Sequence, residues 1–160
     1  MIHRILSFTL ILATPLLMSS PARAGSPEDL QTLLDTGLCG GCDLSGFNLS
    51  GQDLSNSHLI GADLRGANLQ NATLINANLE GADLTGANLE GANLTAALLS
   101  NAILAETNLD QVDLTAATIH DADVSGASMQ DLILVETSVF NTGIGVGGDE
   151  PVDLENWDNY

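Results

Sequence analysis

The sequence predicts an all-β fold, a four-sided parallel coil, from a pattern with a period of five residues. Leucine recurs at every fifth position through the stretch GADLTGANLEGANLTAALLS, from Gly81 to Ser100. A strand repeats every two residues and an α-helix every 3.6, so neither can gather these leucines on one side. Along a helix, residues five apart are rotated by about 500°, which would spread the leucines around every face. The chain must therefore turn at each repeat for the leucines to share a core.

The positions around each leucine complete the repeat and predict its corners. The position two before the leucine is Ala at nine consecutive repeats, from Ala62 to Ala102, and the position one before is usually Asp, Asn or another small polar residue. Two after the leucine come Gly, Asn or Asp, as at Gly81, Gly86 and Gly91. Gly and Asn accept the positive φ that a type II turn requires. We therefore expect a corner two residues after each leucine.

Four corners close a square, so each coil should take about 20 residues and neighbouring coils should pair as parallel strands ~4.8 Å apart. Twenty repeats fill residues 42–141, which makes five coils. A 20-residue period also aligns Asp43, Asp63 and Asp83 in one column, beside a column of Asn. The inward centres are predicted to be Leu44, Leu49, Leu54, Leu59, Leu64, Leu69, Leu74, Leu79, Leu84, Leu89, Leu94, Leu99, Leu104, Leu109, Leu114, Ile119, Val124, Met129, Leu134 and Val139.

Repeats such as ADLTG at 82–86 and ANLEG at 87–91 resemble the pentapeptide-repeat family. The unit of that family is a small residue, Asp or Asn, Leu or Phe, a polar residue and then Gly. The resemblance covers about three-quarters of the chain that follows residue 24, and it implies a right-handed quadrilateral parallel β-helix. The chain departs from the family pattern at Gln52, Ser57, Leu98, Ile103, Leu132 and Ile133.

Residues 25–41 are predicted to form a short capping helix followed by a cysteine-containing turn. Ser26 suits the N-cap, Pro27 the first helical position and Gly37 the end of the helix. A helix of two turns is not stable alone and must pack against the first coil, because the terminal units of a solenoid need caps. Its apolar face is expected to contain Leu30, Leu33 and Leu34.

Residues 1–24 are predicted to be a secretory signal peptide. A short basic start precedes an apolar run over residues 5–18, and Ala22-Arg23-Ala24 has the form of a cleavage site. The run is shorter than the ~20 residues of a spanning helix, so no membrane attachment is expected after cleavage. The chain is therefore expected to be exported. The resemblance to exported family members implies the periplasm or the thylakoid lumen.

The charge of the predicted mature chain excludes nucleic acid as a partner. Once residues 1–24 are removed, Arg65 is the one cation left against 21 carboxylates, a net charge of 1 − 21 = −20 with His neutral. Nucleic-acid binding needs Lys and Arg to neutralise phosphates. We therefore expect a protein partner, of unknown identity.

The Cys39-Gly-Gly-Cys42 pair is the one candidate for covalent or metal chemistry. Haem attachment would need His after the second cysteine, where Asp43 stands, and zinc would need two further ligands. We expect a disulfide that fastens the helix to the first coil, and a redox or metal role stays open as the lesser alternative. His58 and His120 should lie on one side of the coil, three coils apart, too far to share a metal. No cofactor, metal or catalytic residue is therefore predicted.

Three apolar residues near the end of the coil, Ile133, Val135 and Phe140, occupy positions that should face outward. They are expected to form either a docking patch or the seam of a homodimer through the C-terminal coil. The alternative is that the acidic C-terminal tail, residues 142–160, folds back over them. The sequence leaves both open.

The function predicted from these features is that of a non-catalytic, acidic, rigid rod that serves as a structural or protein-interaction module. The resemblance also implies an alternative, because some family members imitate DNA and bind gyrase. Those members are cytoplasmic, so the predicted signal peptide disfavours that alternative.

Overall fold

The structure, a computed structural model, describes residues 25–142. The predicted signal peptide and the tail beyond Thr142 lie outside the described residues. Helix α1 spans Pro27–Thr36, and strands β1 (Thr118–His120) and β2 (Ser138–Phe140) pair in parallel. Within this range no helix has the length and apolarity needed to cross a membrane.

The remaining backbone pairing consists of parallel bridges between residues that are 20 positions apart. Asp43 pairs with Asp63 and then Asp63 with Asp83, and the same offset holds for each bridge along the coil. The main-chain bonds alternate across each bridge: Leu64 N–H donates to Asp83 O at 2.7 Å, and Asp83 N–H donates to Ala62 O at 2.9 Å. Four repeats therefore make one coil, and the fold is an all-β solenoid.

Four faces run along this solenoid, and each is named here by its ladder of bridged residues. Face A carries Asp43, Asp63, Asp83, Ile103 and Asp123; face B carries Asn48, Asn68, Asn88, Asn108 and Ser128; face C carries Asp53, Thr73, Asn93, Asp113 and Ile133; face D carries Leu38, His58, Asn78, Leu98, Thr118 and Ser138.

The coil begins one repeat earlier than residue 42, the boundary predicted from the sequence. Leu38 bridges His58, and Cys39 is a buried centre whose N–H donates to His58 O at 2.8 Å. Gly41 then supplies the corner at φ +71°. The repeat at 37–41 has a centre that is not leucine and an exposed leucine before it, so the leucine pattern could not find it.

Positive φ occurs at each predicted corner, two residues after every centre from Leu44 to Val139. The turns are closed by bonds such as Ala87 N–H to Leu84 O at 2.9 Å. Some corners carry residues other than the Gly, Asn and Asp that the repeat pattern predicts there. These residues are Ala96, Glu106, Gln111, Ala116 and Glu136.

Replacing the corner residue Ala96 by glycine is expected to raise the free energy of unfolding by about 0.5–1 kcal/mol. Ala96 has φ +57°, a conformation that is costly for an L-residue, and the relief exceeds the entropy that glycine adds to the unfolded chain. Urea denaturation measures the change. The matched control is Ala97→Gly: Ala97 is a buried inward residue, so its loss should destabilise. Equal effects of the two changes would contradict the assignment of the corner.

The core is a single column of apolar centres surrounded by small residues. All centres from Leu44 to Val124 are buried, as are the alanines from Ala62 to Ala102 that precede them. The last three centres, Met129, Leu134 and Val139, are half-buried and pack against this core from the C-terminal end. Burial of the apolar centres is therefore nearly complete from the first coil to Val124 and falls only in the last described coil.

Replacing Ser57 by alanine is expected to stabilise the fold by about 1 kcal/mol. Ser57 is buried in a position where later coils have alanine, and its hydroxyl has no hydrogen-bond partner within residues 25–142. The matched control is Thr107→Ala: Thr107 is equally buried, but its Oγ1 donates to Leu84 O at 2.9 Å, so its loss should destabilise. Thermal unfolding of both variants makes the comparison, and a destabilised Ser57→Ala would contradict it.

Helix α1 lies against the first coil and bonds to its backbone. Asp29 Oδ2 accepts from Asp43 N–H at 2.9 Å, and the preceding extended residues donate from Gly25 N–H to Ser45 O and from Ser26 N–H to Asp43 O. Of the predicted apolar face of the helix, Leu33 is buried and Leu30 is partly buried, but Leu34 is 48% exposed. The prediction was wrong for Leu34, because the short helix meets the coil along a stripe too narrow to cover three leucines.

Candidate functional site

The structure joins Cys39 and Cys42 in a disulfide, with their Cα atoms 5.2 Å apart. The bond lies within the first corner of the coil, where Cys42 N–H also donates to Cys39 O at 3.4 Å. It does not join the helix to the coil, as the sequence led us to expect, because Cys39 is itself a centre of the coil. The helix contacts this corner without a covalent link, through Asp29 O at 3.3 Å from Cys39 Sγ.

The histidines lie on face D and do not meet. His58 and His120 are three coils apart, and within the described range no three His, Cys, Asp or Glu side chains come together as metal ligands. His120 Nε2 lies 2.8 Å from Ser138 Oγ, and its ring packs edge-on against Phe140, with centroids 6.1 Å apart and planes at 76°. These contacts join the last two coils of face D.

The aspartates of the ladders bond to their own repeats. Asp83 Oδ1, for example, accepts from the backbone N–H of Thr85 at 3.0 Å and from its hydroxyl at 2.6 Å. Arg65 forms hydrogen bonds with Asp63 and lies 3.7 Å from Asp83, and the bond to Asp63 raises the pKa of the guanidinium. The ladder carboxylates thus hold their turns in shape.

Hydrogen bonds lower the pKa of three aspartates on the surface, of which Asp53 and Asp123 are exposed and Asp110 is half-buried. The Ser55 hydroxyl is the main cause at Asp53, the Ser128 hydroxyl is the main cause at Asp110, and the Ser125 backbone N–H is the main cause at Asp123. In each case a donor stabilises the ionised carboxylate of the folded chain. These bonds link folding to protonation.

Acid is expected to destabilise the rod, and Asp110→Asn should weaken that dependence. A carboxylate whose folded pKa lies below its ordinary value of 3.8 stabilises the fold fully above that value. The contribution is lost as the pH falls through the lowered folded pKa. Unfolding midpoints measured between pH 7 and about pH 2 should therefore drop at the acid end, less steeply in the variant. Glu80→Gln controls for the loss of one negative charge, and an identical acid dependence in the wild type and Asp110→Asn would contradict the linkage.

The three residues predicted to form a terminal patch are exposed but do not lie on one face. Ile133 is 45% exposed and Val135 is 54% exposed, both on face C, whereas Phe140 is 58% exposed on face D. The corner residue Glu136 lies between them. The patch therefore wraps around an edge of the last coil, next to the half-buried centres.

Face D carries apolar residues that the analysis of the sequence did not bring together. Leu38, Ile60, Leu98 and Phe140 are all exposed on this face, between 42% and 59%. The 20-residue period could have found them, because it aligns the column of Leu38 and Leu98 beside the column of Ile60 and Phe140. Of these four residues, the sequence pattern singled out only Phe140, at the C-terminal end.

The fold and its surfaces define a repeat protein of five-residue units, and comparisons with known proteins agree. The profile of the family described as Pentapeptide repeats matches in 8 copies, over residues 39–71, 62–101 and 92–131. The chain belongs to the pentapeptide-repeat family. No curated protein matches it.

Three solved pentapeptide-repeat structures are similar to this chain. One from the thylakoid lumen of Arabidopsis thaliana is 34% identical, with 68% of each chain covered and a TM-score of 0.49. One from the cyanobacterium Cyanothece 51142 is 26% identical, with 69% of this chain and 97% of that chain covered and a TM-score of 0.53. One from Nostoc PCC 7120 is 28% identical, with 69% and 96% covered and a TM-score of 0.56.

Proposed function

We propose that this protein is a non-catalytic acidic rod that acts in an exported compartment as a structural or protein-interaction module. The observation that carries the proposal is the continuous core, in which the repeat's own side chains fill the interior from Leu44 to Val124. Contacts with other molecules are thereby left to the outer faces and the ends. A solenoid presents such extended surfaces with little conformational freedom to lose on binding.

In this proposal helix α1 caps the first coil. Within residues 25–142 no coil precedes the first one, and the backbone at Asp43 and Ser45 instead bonds to Gly25, Ser26 and Asp29. These bonds replace the partners that a preceding coil would provide. The right-handed winding found in the family is proposed for this chain as well.

We propose that the C-terminal coil is the seam of a homodimer. The centres Leu134 and Val139 are half-buried there, while Ile133, Val135 and Phe140 are exposed beside them. A second copy related by a two-fold axis would cover this apolar surface and meet the unpaired edge of the last coil with its own. The alternative is that residues beyond Thr142 cover it within one chain.

Sedimentation velocity of the chain from Gly25 to Tyr160 tests the seam. The expected result is a concentration-dependent dimer that Val135→Asp converts to monomer, because a charge would be buried in the seam. Ile75→Asp, at the equivalent outward position of face C three coils earlier, should leave the dimer intact. A monomer at every concentration would contradict the seam. A chain truncated after Thr142 is measured in parallel, and a dimer formed only by this shorter chain would favour coverage of the surface by the tail.

We also propose export and removal of residues 1–24. The Cys39–Cys42 disulfide supports this, because such bonds persist in oxidising compartments. The protein isolated from its host should begin near Gly25 and contain no free thiol, as measured by intact mass before and after alkylation. A chain that retains Met1 and both free thiols would contradict export. The gyrase-binding alternative would then be favoured, and a supercoiling assay would test it.

A further inference from the structure

Face D differs from the other faces in charge. The outward residues of face D lie immediately before and after each of its centres. In the described range, Glu80 is the only carboxylate among them. Face A has four aspartates in its ladder alone, face B has Glu90 and Asp110, and face C has Asp53 and Asp113. Face D therefore has the fewest carboxylates of the four faces.

Apolar side chains occur on this face from the first coil to the last, interrupted by Asn78 and Glu80 and by Thr118 and His120. Leu38, Ile60, Leu98 and Phe140 are four of the eight large hydrophobic residues exposed in the described range. The ladder from Leu38 to Ser138 crosses five coil spacings, about 24 Å at the spacing of paired strands. The face is therefore long enough to contact an extended ridge of a partner.

The edges of face D adjoin acidic faces. Face A lies across one corner with Asp43, Asp63 and Asp83, and face C lies across the other with Asp53 and Asp113. An apolar centre enclosed by a charged rim is the usual arrangement of a protein interface. Complementarity requires that the rim of the partner be cationic.

We propose that face D is a binding surface for a protein that presents an apolar ridge flanked by Lys or Arg. This inference rests on the proposed interaction function and names the chemistry of the partner. This surface shares Phe140 with the dimer seam but extends beyond it, because it begins at Leu38 in the first coil. A second copy does not fit face D, since its own rim is acidic and like charges would repel.

The test uses a fluorescent synthetic amphipathic peptide, with leucines on one side flanked by lysines, as the probe. The double variant Ile60→Ser, Leu98→Asn removes apolar surface without changing charge, and the same columns already contain Ser100 and Asn78. Titration at physiological salt should show that the Kd of this variant for the peptide is at least about tenfold higher than that of the wild type. The salt dependence should be unchanged, because the acidic rims are intact.

The control is Ile75→Ser combined with Ile103→Asn, which removes two isoleucines from faces C and A instead of face D. Its Kd should stay within about twofold of the wild-type value. Equal weakening by both pairs, or by neither, would overturn the proposal. If the wild type self-associates and only the Ile60→Ser, Leu98→Asn variant abolishes this, the occupant of face D is a second copy and the proposal is overturned. Circular dichroism checks that both double variants fold. Because this test measures peptide binding and the dimer seam is tested by sedimentation, failure of the face D proposal can be distinguished from failure of the seam.

Discussion

Replacing Leu84 by alanine is expected to lower the free energy of unfolding by about 3–5 kcal/mol. Leu84 is fully buried in the middle of the rod, between Leu64 and Leu104 of the neighbouring coils, which are also buried. The main chain around it is tied to both neighbours, so the coil cannot collapse to fill the cavity. Urea denaturation followed by circular dichroism measures the loss.

Leu134→Ala is the matched control for that prediction. Leu134 is the same residue type at the same position of the repeat, but it lies half-buried in the last described coil. Its replacement should cost the monomeric chain only about 1 kcal/mol, because less apolar surface is lost and solvent can occupy the space. If the two variants were equally destabilised, burial would not decide stability along this rod.

Replacing Gly25 by valine is expected to destabilise the protein by about 1–3 kcal/mol. A Cβ at this position would lie 2.5 Å from Asp43 O, 2.7 Å from Phe47 Cε2 and 2.9 Å from Ser45 N. Two of these are backbone atoms that cannot move aside, so the bond from Gly25 N–H to Ser45 O would break. Thermal unfolding gives the total effect, and hydrogen exchange should show faster exchange at the first coil.

Gly40→Val controls for the general cost of replacing a glycine near the first coil. A Cβ on Gly40 has Ile60 O as its nearest neighbour, at 3.7 Å, which is an ordinary contact. This variant should therefore retain most of the wild-type stability. A greater loss for Gly40→Val than for Gly25→Val would contradict the close packing of the segment before helix α1.

Periodicity made most of the fold predictable, because each repeat makes the same local choice. Leucine at every fifth residue and Gly or Asn two positions later indicate a core and corners without knowledge of distant contacts. The repeat at Cys39 escaped because its residues do not follow that pattern. The exposure of Leu34 was not predictable, because helical periodicity shows which residues share a side of the helix but not how wide a surface of the coil covers them.

The sequence by itself determined the period, the inward centres and the strong negative charge, since these depend on residue types and their spacing. Only the tertiary structure decided that Cys39 and Cys42 close one corner of the coil, that Leu38 joins the ladder of face D, and that the apolar residues of this face are exposed. These depend on which residues the 20-residue register brings together. Residues such as Leu38 and Phe140 are distant in the chain and share a face because the coils stack.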